Sequence, residues 1–296
     1  MDLSIIIVNW KVRDLLRRCL LSVYAGTSGI SFEVFVADND SDDGSVEMVR
    51  REFPQAALLA NKKNLGFAAG NNPAIKMSKG DFVVWLNPDA EVIGNALGRM
   101  VGYLRANPEV GIAGPRIVNE DGSVQPSVRR FPTPLSQALI MLKIQNLMPT
   151  LAPLRRYYAL DFDYSRAVAV DQVMGAAMFI RRSVFEKIGL LDERFFIWYE
   201  EVDFCKRAKD AGFEIRYVPA ATVRHGGGQS FRQVFGPKKQ RMMNRSLRQY
   251  MGKHYGWPAA AAMAALHPLS MALAWLAASV KNIVPRYDPF RQRDIS

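Results

Sequence analysis

Three carboxylates fall within four positions at Glu200, Glu201 and Asp203, directly after the aromatic run Phe195, Phe196, Ile197, Trp198 and Tyr199. Aromatic side chains wall off a pocket, and crowded carboxylates resist ionisation unless a cation or a proton-transfer duty compensates. The segment reads as a general base beside a substrate platform. Acidic residues that only complement a helix N-terminus are the competing reading. A second centre is Asn87-Pro88-Asp89, directly after the apolar run Phe82–Leu86. A carboxylate there can hold Mg²⁺ or Mn²⁺ against a diphosphate, or it can cap a turn. His225 precedes Gly226-Gly227-Gly228 and is the candidate second metal ligand. The stretch at 64–72 holds two glycines at spacings that fit neither a dinucleotide fingerprint nor a P-loop, which argues against a NAD-dependent dehydrogenase.

Strand and helix patterns must position these groups. Leu3–Asn9 is a β-branched run suited to a strand buried on both faces, and helical periodicity follows at 15–24. Strands are expected at 32–37, 57–60 and 81–86, with helices through Val46 to Phe53 and at 67–77, where Pro73 must sit in a first turn or kink the helix. This β-α-β-α order implies an α/β fold with a mostly parallel sheet covered by helices on both faces. Ligands in such sheets lie beyond the carboxyl ends of the strands. The polar clusters Asn9-Trp10, Asp38 to Ser45, and Asn87 to Asp89 stand at those ends. Further strands are expected at 110–118, 168–171, 174–180, 213–218 and 221–225, with an irregular stretch at 119–166 and a helix at 201–211. One domain over 1–235 and a helical region over 236–296 is the simplest division.

Charge is concentrated at the C-terminal end. From Arg224 onward twelve Lys/Arg face only Asp288 and Asp294, so that stretch carries +10 of the chain's net +11. A polyanionic surface is implied there, either phospholipid or nucleic acid. A basic helix is expected over 237–255, followed by the uncharged run 259–280, interrupted by His267-Pro268. That run is long enough to span a bilayer, yet alanine-rich, so packing on the protein or lying in the headgroup region competes with spanning. The charge lies beside this run and is not interleaved with stacking aromatics, which favours a membrane surface and argues against nucleic acid. Truncating 237–296 is therefore expected to release the protein from membranes and leave donor hydrolysis measurable. Cys19 and Cys205 have no metal-ligand spacing and read as two reduced cytoplasmic thiols. No signal peptide precedes the first apolar run.

Together these motifs resemble glycosyltransferase family 2, inverting enzymes of the GT-A fold, over about residues 3–230. Asp38-Asn39-x-Ser41-x-Asp43-Gly44-Ser45 looks like its nucleotide-base loop, and Asn64-x-Gly66-Phe67-Ala68-x-Gly70-Asn71 its donor-side helix start. Leu86-Asn87-Pro88-Asp89 stands where the family keeps its Asp-x-Asp motif, and Glu200-Glu201-x-Asp203 matches its Glu-Asp-x-Asp base motif. The run from Gly175 and Ala176 to Arg182 looks like the acceptor-side strand, and His225 matches the late metal-binding histidine. Within the family the likeness is to bacterial rhamnosyltransferases of O-antigen and cell-wall polysaccharide synthesis, to which Ser127-Val128-Arg129-Arg130-Phe131-Pro132 adds.

The resemblance implies transfer of a sugar, expected to be rhamnose, from a dTDP- or UDP-sugar to a polyprenyl-diphosphate-linked acceptor. The enzyme would sit peripherally on the cytoplasmic face of a bacterial membrane. Val8, Asn9, Asp38, Asn39, Asn64, Gly66, Phe67, Asn71 and Asn87 would bind the donor nucleotide. Asp89 and His225 would hold the divalent cation, and Gly175, Ala176, Trp198, Tyr199 and Arg129 would line the acceptor side. Glu201 would be the base, with Glu200 or Asp203 as substitutes. Two positions depart from the pattern: Asn87 replaces the first Asp of the metal motif, and Glu201 stands where Asp is usual. A nucleotidyltransferase, releasing pyrophosphate in place of nucleoside diphosphate, and a basic nucleic-acid-binding protein are the alternatives. Oligomeric state stays open, a dimer included.

Overall fold

The computed structural model describes residues 1–227 and 233–279. Gly228, Arg232, Val280 and the basic residues at 281–293 lie outside the described residues. Strand β1 (Leu3–Asn9) pairs in parallel with β2 (Phe32–Asp38) and β4 (Phe82–Leu86), and β2 pairs in parallel with β3 (Ala57–Ala60). Side chains alternate between the two faces of a strand. Ile5, Ile7, Val36 and Val84 accordingly enter one core, with helices α1 (Arg13–Gly26), α2 (Ser45–Glu52) and α4 (Ala96–Ala106). Ile6, Phe35, Val83 and Trp85 enter the opposite core, with α3 (Gly66–Met77), α7 (Arg182–Ile188) and α8 (Glu200–Asp210). Burial on both faces explains the near-continuous apolar runs. Cys19 and Cys205 are buried in opposite cores, and burial pushes the Cys205 thiol up to about 12.

The other half of the sheet is mixed. Strand β10 (Ala177–Arg181) lies antiparallel between β4 and β6 (Val110–Val118). Strand β11 (Glu214–His225) runs parallel to β6, and it pairs antiparallel with β5 (Ala90–Ile93) and β8 (Val168–Ala169). The order is β3-β2-β1-β4-β10-β6-β11-β5. Where two strands were expected over 213–225 there is one. The register shift between Val218 and Thr222 absorbs Pro219, which has no amide N–H to give the ladder. Helix α3 continues through Pro73, in its interior and not in its first turn.

The stretch 119–166 is more regular than expected. It holds α5 (Pro134–Met141) and α6 (Ala152–Tyr157), and β7 (Val128–Arg129) pairs with β9 (Gln172–Val173). Thr133 and Ser136 form a reciprocal capping box, and Pro134 occupies the first turn, where its missing N–H costs nothing. Helix α9 (Gly236–Ser279) is broken at Gly256 (φ 81°, ψ 177°). Asn244 Nδ2 meets both His267 Nδ1 (3.1 Å) and Ser270 Oγ (3.1 Å). In a straight helix those positions would stand about 35–39 Å apart, so the two arms fold back as a hairpin. Leu247, Tyr250, Met251 and Met263 of this hairpin form a third core with Met141, Phe195, Tyr199 and Val202.

Candidate functional site

Register builds the first half of the site. Beyond β4 the Asn87 N–H donates to the Ala176 carbonyl (2.9 Å), the chain turns, and β5 begins at Ala90, paired with His225. Asp89 is thereby set beside a residue far away in sequence, with its Oδ1 at 3.3 Å from His225 Nε2. His225 Nδ1 lies 2.8 Å from Gln125 Oε1. A carbonyl oxygen only accepts, so Nδ1 carries a proton, and Nε2 is the ring atom that faces Asp89 and Asn87 Nδ2 (3.2 Å). A carboxylate oxygen and an imidazole nitrogen side by side, with the ring oriented by an outer partner, fit a divalent cation. Among the described residues no group of three or more His, Cys, Asp or Glu is placed to hold a metal. Two protein donors completed by diphosphate oxygens would suit Mg²⁺ or Mn²⁺.

The second half rests on strained backbone. Trp198 (φ 62°) and Tyr199 (φ 70°) are consecutive left-handed residues with side chains, at a cost of about 1–3 kcal/mol each. Their surroundings hold them. Tyr199 Oη donates to Gln137 Oε1 (2.8 Å), its ring lies 5.6 Å from that of Tyr250, and Ser246 Oγ donates to the Ile197 carbonyl (2.8 Å). The Phe196 carbonyl accepts from Phe67 N–H (2.8 Å) and lies so close to Gly66 (φ 82°) that a Cβ there would overlap it. Helix α8 starts directly from this turn, placing Glu200 and Glu201 in its first turn against the cleft. Each has one buried carboxylate oxygen without a hydrogen-bond partner. Burial pushes the Glu200 carboxyl well up, and the neighbouring Glu201 charge adds to it. Burial also raises Glu201, against the pull of nearby Arg129.

A cleft of about 300 Å³ joins the two halves. Of the residues singled out from sequence, Val8, Asn39, Asn64, Gly66, Phe67, Asn87, Asp89 and His225 line it. Arg129, Gly175, Ala176, Trp198, Glu200 and Glu201 line it as well. Trp10, Pro88, Met174, Phe196 and Ile197 also line it, without having been assigned a binding role from sequence. Gln125 was missed altogether. It lies in a polar turn with no local motif, and only the folded chain shows it behind His225.

Five expected site residues stand off the cleft. Asp203 is wholly buried: Arg207 Nε reaches it at 2.8 Å, Lys253 Nζ at 2.8 Å and His254 Nε2 at 2.8 Å. Burial opposes its ionisation, but the His254 and Lys253 hydrogen bonds and the Arg207 charge outweigh it and hold the carboxyl below its usual range. A carboxylate so saturated braces α8 and takes no proton from a substrate in the cleft. Asp38 accepts from Asn9 Nδ2 (2.7 Å) and Ser41 N–H (2.8 Å), so Asp38 and Asn9 fix the loop behind the wall. Asn71 Nδ2 donates to the Phe67 carbonyl (2.9 Å) inside α3, and Tyr199 supports the strained turn from behind.

Comparison with known proteins agrees with this architecture. The family model described as "Glycosyl transferase family 2" matches residues 4–189. An N-acetylglucosaminyl-diphospho-decaprenol L-rhamnosyltransferase of Mycobacterium tuberculosis is 28% identical over 238 residues, 75% of each chain. A low-salt glycan biosynthesis hexosyltransferase of Haloferax volcanii is 31% identical over 218 residues, 72% of this chain and 64% of that one. A solved mannosyltransferase from Pyrobaculum calidifontis, in complex with GDP-Man and Mn²⁺, shares the fold. Its TM-score is 0.57 at 17% identity, covering 96% of this chain and 76% of that one.

Proposed function

The chain belongs to glycosyl transferase family 2, and from that premise we propose that it moves rhamnose, with inversion, from a dTDP- or UDP-sugar to a polyprenyl-diphosphate-linked glycan. The observation that carries the reading is that Asp89 and His225 line the same cleft as Glu200 and Glu201. The rhamnosyl identity and the lipid-diphosphate acceptor come from the similar Mycobacterium tuberculosis enzyme, whose name states both.

In this scheme the nucleotide lies against Val8, Asn39 and Asn64, and its diphosphate lies over the Asn87–Asp89 turn. Asp89 and His225 would hold a divalent cation, which when bound offsets charge on the leaving diphosphate. The acceptor hydroxyl attacks the anomeric carbon from the face opposite the diphosphate. One C–O bond forms, the bond to the diphosphate oxygen breaks, and the electron pair leaves with the nucleotide. Glu201 takes the hydroxyl proton. Its burial suits that duty, because a raised carboxylate is a stronger base than a solvated one. Trp198 and Phe196 exclude water, which would otherwise hydrolyse the donor.

The hairpin supplies the membrane contact. Trp257 is 80% exposed and Trp275 54% exposed, and Leu269 and Leu276 are exposed as well. The 44-residue helix is apolar enough by composition to cross a bilayer. Its fold-back on Asn244 supports lying on the membrane in preference to spanning it. The test is to incubate the protein with dTDP-rhamnose and with UDP-sugars, with and without Mg²⁺ or Mn²⁺, together with N-acetylglucosaminyl-diphospho-polyprenol. Free nucleoside diphosphate and a rhamnosylated lipid of inverted anomeric configuration are expected. Release of pyrophosphate would instead indicate nucleotidyl transfer, and metal-independent turnover would remove the Asp89/His225 role.

A further inference from the structure

A second cavity, of about 510 Å³, lies outside the cleft between α5, α6 and the hairpin turn. Arg130, Phe131, Arg156, Tyr157 and Tyr255 line it, with Asp171 at its wall. Among the described residues neither the Arg130 nor the Arg156 guanidinium has an ion-pair partner. Asp171, the one carboxylate there, is paired with Lys209 and accepts from Phe131 N–H (3.4 Å). Lys206 and Lys209 stand 5.6 and 5.7 Å from the Phe131 ring, each offset by its own carboxylate, Asp210 and Asp171, so the uncompensated charge is that of the two arginines. The cavity is therefore cationic, and two unpaired planar guanidinium groups match the oxygens of a phosphate or diphosphate.

Its neighbours say where such a ligand would lead. A small gap of about 40 Å³ shares Tyr157 with this cavity and Arg129, Met174 and Glu201 with the cleft. On the other side Tyr255 Oη donates to the Pro132 carbonyl (2.8 Å), anchoring the hairpin turn beside the cavity, and exposed Trp257 follows directly. Cavity, gap and cleft thus adjoin through shared side chains, and exposed Trp257 stands two residues from Tyr255 of the cavity wall.

We propose that the Arg130/Arg156 cavity binds the diphosphate of the lipid-linked acceptor, with the acceptor sugar reaching past Tyr157 and Arg129 to Glu201 and the lipid tail leaving over Trp257. This rests on the glycosyl-transfer reading for the acceptor's identity, but the anion site stands on its own geometry. The sources of such a phosphate group are an isoprenyl diphosphate and a phospholipid headgroup, and the two are separable.

The experiment is calorimetric titration of the full chain with farnesyl diphosphate in the presence of saturating UDP, which keeps the donor cleft filled. One site per chain is expected. The R130A/R156A double variant should weaken it at least tenfold, R130K/R156K should keep part of the affinity, and G102A, which lines neither cavity, should leave it unchanged. Partition onto phosphatidylglycerol vesicles should be the same for wild type and double variant. Wild-type protein that binds no farnesyl diphosphate, or a correctly melting double variant that binds it normally, overturns the proposal. So does competition between UDP and farnesyl diphosphate, which would put the diphosphate in the cleft. Lost vesicle partition with intact farnesyl diphosphate binding would make the cavity a headgroup site, and also overturns it. Normal farnesyl diphosphate binding without any sugar transfer would sink the donor reading while upholding this site.

Discussion

The two adjacent glutamates carry the sharpest residue-scale claim. Glu200 is buried and Glu201 half-buried, and Glu201 also borders the passage toward Arg130 and Arg156, which is where an acceptor hydroxyl would arrive. Glu201→Gln should bind donor normally and lose about 10²–10⁴-fold in turnover. Full turnover in that variant would assign the base to Glu200. Because burial raises the Glu201 carboxyl, the wild-type kcat/KM should rise with pH along a limb above the ordinary glutamate value of about 4.3. The limb should vanish in Glu201→Gln. The stability sign follows from the same shift. The protonated native form is favoured, so stability present below about pH 4.3 is lost as pH climbs through the raised value. Asp203 has the opposite sign, since its depressed carboxyl stabilises the fold above its unfolded value of about 3.9 and that contribution is lost in acid.

Among the elements, the turn between Phe195 and Tyr199 sets the position of α8, and Gly66 is its seat. A side chain at residue 66 faces two penalties: a left-handed backbone, about 1–2 kcal/mol, and overlap with the Phe196 carbonyl. Gly66→Ala should therefore lower the melting temperature by several degrees. It should also impair turnover more than Gly102→Ala, where a Cβ meets nothing. Equal behaviour of the two variants would mean that the turn does not depend on Gly66. The same turn explains why the first helical residues are acidic without serving mainly as caps. Their backbone start is fixed by Tyr199, Gln137 and Ser246, which leaves the carboxylates free for the cleft.

For the molecule as a whole, the C-terminal hairpin packs on the core, and membrane contact is its proposed second role. Its inner face supplies Leu247, Tyr250 and Met251 to the core around Tyr199, and its outer face exposes Trp257 and Trp275. Deleting 237–296 would remove both, so the expectation that donor hydrolysis survives such a truncation is replaced by unfolding of the base loop. Substituting only the outer face, as W257E/W275E/L276E, separates the duties. Sedimentation with anionic vesicles should fall sharply while the melting temperature holds. Unchanged sedimentation would place membrane attachment elsewhere.

The first four strands and their helices were legible in the amino-acid order, because a strand buried on both faces must be apolar throughout and its helices must carry 3.6-residue periodicity. The chemistry-bearing residue types were legible too, since Asn87 to Asp89 and Glu200 to Asp203 stand in local runs whose composition has few other uses. Tertiary structure alone decided which of them meet. The pairing of Ala90 with His225 brings Asp89 to its histidine, and no local pattern shows that β5 exists. Asp203 looked equal to its neighbours in the sequence. It turned inward because α8 carries it about 200° around the helix axis from Glu201, toward Arg207, Lys253 and His254. Local composition specifies what a residue can do, and long-range pairing and helix phase specify what it faces.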